Sequence, residues 1–135
     1  LGAEGIAMGT RFMATKESLI HQNVKDKMTE SDERSTNLMF RTMHNTARVF
    51  KNTISDQVVE IESTGTATFE DVKDLVAGQR GRGVFEVGDL EAGIWSAGIS
   101  VARVKDVPTC EELVSRMVSD AEAIMDGRLK EIRAS

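Results

Sequence analysis

Apolar residues recur along this chain at two different spacings, and the switch between them marks its first boundary. Near the start, Ile6-Ala7-Met8 is a continuous apolar run bounded by Gly5 and Gly9. Such a run has the form of a short strand buried on both faces, as in a parallel sheet. From Gly9-Thr10 onward a helical spacing takes over. Leu19, Ile20, Val24 and Met28 place one apolar stripe on a helix over 17–29. The polar stretch Ser31 to Thr36 breaks it, and a second helix is expected where Met39, Met43, Ala47 and Phe50 fall at three- and four-residue steps. A third starts near Ser55, carries Val58 and Ile61 on one side and ends at Gly65. Thr68 with Asp71 three residues on has the form of a capping box, which opens a short helix through Leu75 and Val76 that stops at Gly78.

Between Gly78 and Gly98 lie six of the eleven glycines, and there the helical spacing is least regular. Gln79, Arg80 and Arg82 in this stretch form either a small basic site or a helix end capped by solvated arginines. Ile94, Trp95, Ala97, Gly98, Val101, Ala102 and Val104 then follow a helix-like apolar pattern up to Asp106 and Pro108. The last element is the clearest. Thr109 and Glu112 make a capping box after Pro108, and Val114, Val118, Ala121, Met125, Leu129 and Ile132 form an apolar stripe that needs a partner.

Composition narrows the class without naming a function. With 135 residues, 40% hydrophobic and 29% charged, the chain has enough apolar surface for one core. A net charge of -5 argues against nucleic acid or an anionic membrane as the main partner. No apolar stretch approaches the roughly 20 residues of a membrane span. Cys110 is the single cysteine, which excludes an internal disulfide and fits a reducing, cytoplasmic setting. No Cys-x-x-Cys or His-x-x-x-His pair points to a metal site. The seven methionines fall mostly on the apolar stripes, where they fill gaps in a core or leave an adaptable surface.

The richest chemistry lies at the first boundary. A strand ending at Met8, a turn at Gly9 and a helix opening at Thr10 provide free N–H groups, a hydroxyl and a backbone that a ligand can approach closely. That is the usual phosphate cradle at the carboxyl edge of a (β/α)₈ barrel. The same residues also suit an ordinary strand-to-helix connection.

Gly5-Ile6-Ala7-Met8-Gly9-Thr10-Arg11-Phe12 resembles the final-strand signature of the nitronate monooxygenase family, FMN enzymes formerly called 2-nitropropane dioxygenases. Four further blocks continue the resemblance in order: Asp32-Glu33-Arg34-Ser35-Thr36, Asn45-Thr46-Ala47-Arg48-Val49, Gly78-Gln79-Arg80-Gly81-Arg82 and Gly93-Ile94-Trp95-Ser96-Ala97-Gly98. Together they are similar to the branch described as NADH:quinone reductases. The absence of tyrosine departs from nitronate monooxygenases that line their substrate pockets with it, and so favours the reductase branch.

The resemblance implies a mainly α chain, the C-terminal portion of an FMN-binding TIM barrel. It implies the last barrel strand and FMN-phosphate turn in 1–16, a helical domain covering the active site in 17–107 and a C-terminal helix packing on the barrel in 108–135. Met8, Gly9 and Thr10 are then the cofactor-binding residues, and Trp95 and Ser96 are candidates for lining the substrate pocket. Without the family, Trp95 reads as a core anchor. The catalytic histidine is expected in a preceding barrel portion, because neither His21 nor His44 lies in a segment that matches its motif. FMN is the implied cofactor, NADH a co-substrate, and a quinone or a nitronate the other substrate. Alone, this stretch is expected to be inactive and to self-associate through exposed apolar helix faces. A non-enzymatic helical interaction module is the competing class.

Overall fold

The structure, a computed structural model, describes the backbone of residues 2–134 and the side chains of 2–127. In chain order it contains α1 (Thr10–Met13), α2 (Gln22–Thr29), β1 (Thr36–Met39), β2 (Ala47–Phe50), α3 (Thr53–Glu62), α4 (Phe69–Val72), α5 (Gly78–Val87), a 3₁₀ helix (Ile99–Arg103) and α6 (Cys110–Ala134). The chain is thus helix-rich with one small antiparallel sheet. α2 holds the second half of the stripe over 17–29, and the capping box at Thr68 opens α4, which ends at Val72 instead of continuing through Leu75 and Val76 to Gly78.

Three expectations are corrected. The strand at Ile6-Ala7-Met8 is not formed, and Ile6 is 77% exposed. A strand exists only by pairing its N–H and C=O groups with a neighbour, and no neighbour lies beside this segment among the described residues. The helix expected through Met39, Met43, Ala47 and Phe50 is instead the β1–β2 hairpin, with Thr36 opposite Phe50 and Met39 opposite Ala47. Phe40 and His44 adopt φ of 61° and 54° in its loop, which no right-handed helix tolerates. The Glu62 side chain holds that loop: its carboxylate accepts from the Phe40 N–H at 2.8 Å and from the Thr42 hydroxyl at 3.1 Å.

The third correction concerns the helix expected from Ile94 to Val104. Trp95 and Ser96 run beside β2, with the Phe50 N–H donating to the Trp95 carbonyl at 2.9 Å and Val49 bridged to Ser96. Trp95 and Ala97 are buried while Ser96 is exposed, the alternation of an extended chain. Only Ile99–Arg103 coils, into a 3₁₀ helix.

The hairpin stands between two apolar clusters. Consecutive residues of β2 point to opposite faces, so Val49 packs with Met39, Val58 and Val72, whereas Phe50 joins Trp95, Val24, Met28, Val84 and Val101. Phe50 and Trp95 stack with ring centroids 4.2 Å apart and planes 11° from parallel.

The first part of the glycine-rich stretch, 78–87, is the helix α5, whose glycines let it approach the 92–94 segment backbone to backbone. A Cβ at Gly93 would sit 2.6 Å from the Arg80 carbonyl carbon. Arg80 itself donates to the Ala92 carbonyl at 3.0 Å. Gly88 ends the helix at φ 79°, where a Cβ would collide with the His21 ring 2.1 Å away.

Asn52 organises this region. Its side-chain oxygen accepts from the Ser55 N–H at 2.9 Å and caps α3, while its amide donates to the carbonyls of Leu90 and Gly93, both at 2.8 Å. The residue is 5% exposed, and all three polar functions of its amide are used inside the protein.

At the other end, Thr109 and Glu112 form the expected capping box of α6. The Glu17 carboxylate adds two contacts to the Cys110 N–H, at 2.9 and 3.0 Å, and these hold its pKa below the usual range. Asp106 accepts from Arg116 at 2.8 Å and from Arg11 at 2.7 Å, tying α6 to α1. Arg116 first, and then Arg11, hold the Asp106 carboxyl below its ordinary value against the opposing effect of burial. The apolar stripe of α6 stays uncovered: Val114, Val118 and Met125 are 47%, 52% and 55% exposed. Leu129 and Ile132 of the same stripe lie outside the residues whose side chains are described.

Two outcomes are expected from this arrangement. Asn52→Ala strands two buried carbonyls and uncaps α3, so it should lower stability by about 3–5 kcal/mol in urea unfolding. Asn52→Asp keeps the cap but turns an anion toward two carbonyls, and should be no more stable than the alanine variant at neutral pH. A near-native Asp variant would reduce Asn52 to a helix cap. The second outcome concerns acid. Glu17 and Asp106 have folded-state pKa values lowered relative to the unfolded chain, so their stabilisation is present above the unfolded values and lost as pH falls below about 4. Stability measured from pH 6 downward should therefore decline less steeply in Glu17→Gln/Asp106→Asn than in the parent.

Candidate functional site

The turn singled out in the sequence opens α1. The N–H groups of Phe12 and Met13 both donate to the Gly9 carbonyl, at 3.0 and 3.2 Å. Those of Thr10 and Arg11, two residues earlier in the same turn, meet no acceptor among the described residues. This follows from position, since the first N–H groups of a helix have no carbonyl behind them. A Cβ built on Gly9 meets nothing within 4 Å, so the turn faces open space. Met8 is half-buried beside it.

The Thr10 hydroxyl does something its sequence position does not announce. It accepts the Gly98 N–H at 2.9 Å, across 88 residues. A hydroxyl oxygen that accepts one bond still has its proton to donate. The bond therefore pins the turn to the Trp95–Gly98 segment and leaves the hydroxyl proton free for a further acceptor.

Two of the sequence-predicted regions are thus neighbours, but their members differ in exposure. Ser96 is exposed, whereas Trp95 is 2% exposed and stacked on Phe50 in the core. The indole Nε1–H is buried without a hydrogen-bond partner among the described residues. His21 caps α2, its Nδ1 accepting the Asn23 N–H at 3.2 Å, and His44 sits exposed in the hairpin loop. The two histidines lie in separate parts of the chain. Among the described residues no group of three His, Cys, Asp or Glu side chains is placed to hold a metal ion, and no helix is long and apolar enough to cross a membrane.

Arg11 was only part of a motif in the sequence, and the structure gives it a task. Its guanidinium, 14% exposed, donates to both the carboxylate and the backbone carbonyl of Asp106. It thereby fixes α1 against the chain that leads into α6. Nothing in the spacing of Arg11 and Asp106, 95 residues apart, signals this pair.

A family model described as nitronate monooxygenase matches residues 1–120. The chain is also 24% identical over 163 aligned positions to (3aS,4S,5R,7aS)-5-hydroxy-7a-methyl-1-oxo-octahydro-1H-indene-4-carboxyl-CoA dehydrogenase of Rhodococcus jostii (strain RHA1), covering 89% of this chain and 44% of that protein. The structure of FabK from Thermotoga maritima superposes with a TM-score of 0.77 at 25% identity, covering 98% of this chain and 40% of that one. A mutant of the same FabK gives 0.75 at 22% identity, with 98% and 38% covered. The chain therefore spans less than half the length of these relatives. With the family model matching residues 1–120, from the Gly9–Thr10 turn through α1, the hairpin and the Trp95–Gly98 segment into α6, the chain belongs to the nitronate monooxygenase family.

Proposed function

We propose that this chain is the C-terminal part of an FMN-dependent (β/α)₈ oxidoreductase, and that the turn at Met8, Gly9 and Thr10 holds the FMN phosphate. The observation that carries this reading is the state of the Thr10 hydroxyl. Its oxygen is fixed by the Gly98 N–H and its proton remains unused, next to two free backbone N–H groups and an open face at Gly9. Donors held in place before a ligand arrives lose little entropy when it binds, and a phosphate dianion meets them as charge-assisted hydrogen bonds.

In this reading the extended segment ahead of Gly9 becomes the last barrel strand once the rest of the barrel supplies its neighbours. The uncovered stripe of α6 packs on that barrel, and separated from it the chain self-associates. The family's catalytic histidine belongs to that preceding portion, and the compartment is the cytoplasm.

When bound, FMN supplies the two-electron redox chemistry, with NADH as reductant and a quinone as acceptor in the branch that the Gly93–Gly98 block resembles. This chain's residues bind and orient. Thr10 donates its hydroxyl proton to a phosphate oxygen, and the N–H groups of Thr10 and Arg11 donate beside it. Gly98 keeps the Thr10 oxygen from turning away. Trp95, held by stacking on Phe50, fixes the backbone of Ser96, whose exposed hydroxyl offers a contact to the nicotinamide nucleotide or the substrate.

Two tests follow, both on the full-length protein that carries this chain. The parent should purify yellow with bound FMN, and Gly9→Asp should lose most of it on desalting, because the substitution puts bulk and negative charge where the dianion sits. Retention of a full complement of FMN by Gly9→Asp would remove the phosphate assignment. Anaerobic mixing with NADH should bleach the flavin absorbance. Bleaching by an alkyl nitronate and not by NADH would move the protein to the monooxygenase branch.

A further inference from the structure

A groove of about 670 Å³ runs beside the Met8–Thr10 turn, between α1, the 3₁₀ helix and α6. Its charge opposes that of the chain. Arg11, Arg103, Lys105 and Arg116 line it against only two carboxylates, Asp106 and Asp120, in a chain of net charge -5. The six are not equivalent. Arg11 and Arg116 share Asp106, which neutralises one of them, and Lys105 donates to the Ser31 carbonyl at 2.7 Å while keeping two further N–H donors. Arg103 is exposed, and its guanidinium forms no hydrogen bond or ion pair among the described residues. Met8, Leu113 and Met117 give the groove an apolar side.

We infer that this groove binds the adenosine diphosphate half of the nucleotide co-substrate, with Arg103 and Lys105 on the diphosphate and the methionine side against the adenosine. The inference rests on the oxidoreductase reading above and names a subsite for it. The groove has room for an organic ligand, since sites for such ligands run from about 300 to 1,000 Å³. Charge decides for a diphosphate, because two cations not consumed by Asp106 face one groove. Arginine also stacks its planar guanidinium on an aromatic base, and methionine adapts to a flat apolar surface. Ser100 and Arg103 line the groove on the same stretch of chain that begins at Ser96.

The same diphosphate chemistry occurs in NADH and in a coenzyme A thioester, the class of compound named in the Rhodococcus relative. The test uses the full-length protein and isothermal titration with ADP, ADP-ribose and coenzyme A. ADP should bind, its affinity should fall as salt is raised, and Arg103→Glu should weaken it about tenfold or more. Arg103→Lys, which keeps the charge, should retain most of the binding and controls for folding. Tighter binding of ADP-ribose than of coenzyme A identifies the tail as that of NADH, and the reverse order identifies a coenzyme A thioester. No heat with ADP, or an affinity unchanged in Arg103→Glu, overturns the inference. Flavin absorbance is read on the same samples. Flavin lost from the parent sinks the FMN reading, whereas flavin retained without ADP binding sinks the groove alone.

Discussion

One buried amide, that of Asn52, sets the geometry on which the site depends. A buried polar group is tolerated only when its partners are present, and Asn52 satisfies its oxygen on α3 and both protons on the chain that returns from α5. That return segment leads directly into Trp95. Because Gly93 admits no side chain, the backbone of α5 closes on it from the other side. Asn52 is thus held between a helix start and a loop end, and Trp95 leaves the loop in the direction that pairs it with β2.

From Trp95 the constraint passes to the turn. The Trp95 carbonyl accepts from Phe50, the rings of the two residues stack, and three residues later the Gly98 N–H reaches the Thr10 hydroxyl. Each contact is worth only about a kilocalorie per mole net. Their effect is positional: they fix the Thr10 oxygen beside a turn whose Gly9 faces open space. On the opposite flank, Arg11 and Arg116 converge on Asp106 and anchor α1 to the base of α6. The turn is fixed from both sides while its front stays open.

The rest of the surface carries apolar residues. α6 presents an apolar stripe to solvent, and Ile6 lies exposed ahead of the turn. Apolar surface in contiguous rows is uncommon on a finished monomer.

The sequence by itself determined the capped helices. Thr68–Asp71 and Thr109–Glu112 are local contacts over three residues, and the structure forms both where the spacing puts them. Family membership was also legible, since ordered short blocks survive in sequence regardless of packing. Local spacing failed wherever a distant partner decided the outcome. Met39, Met43, Ala47 and Phe50 have helical spacing, yet Glu62 and the Trp95–Ser96 segment favour a hairpin by bonding its loop and its edge. Glycines at 78–93 read as breakers, but α5 forms because their missing side chains permit a backbone contact that no propensity encodes. Within the site, the Gly9–Thr10 turn was visible as a motif, while the Thr10–Gly98 bond, the Arg11–Asp106 pair and the burial of Trp95 were not. Each of these joins residues far apart in the chain, or turns on which face of an extended segment meets the core, and only the tertiary fold brings such groups within bonding distance.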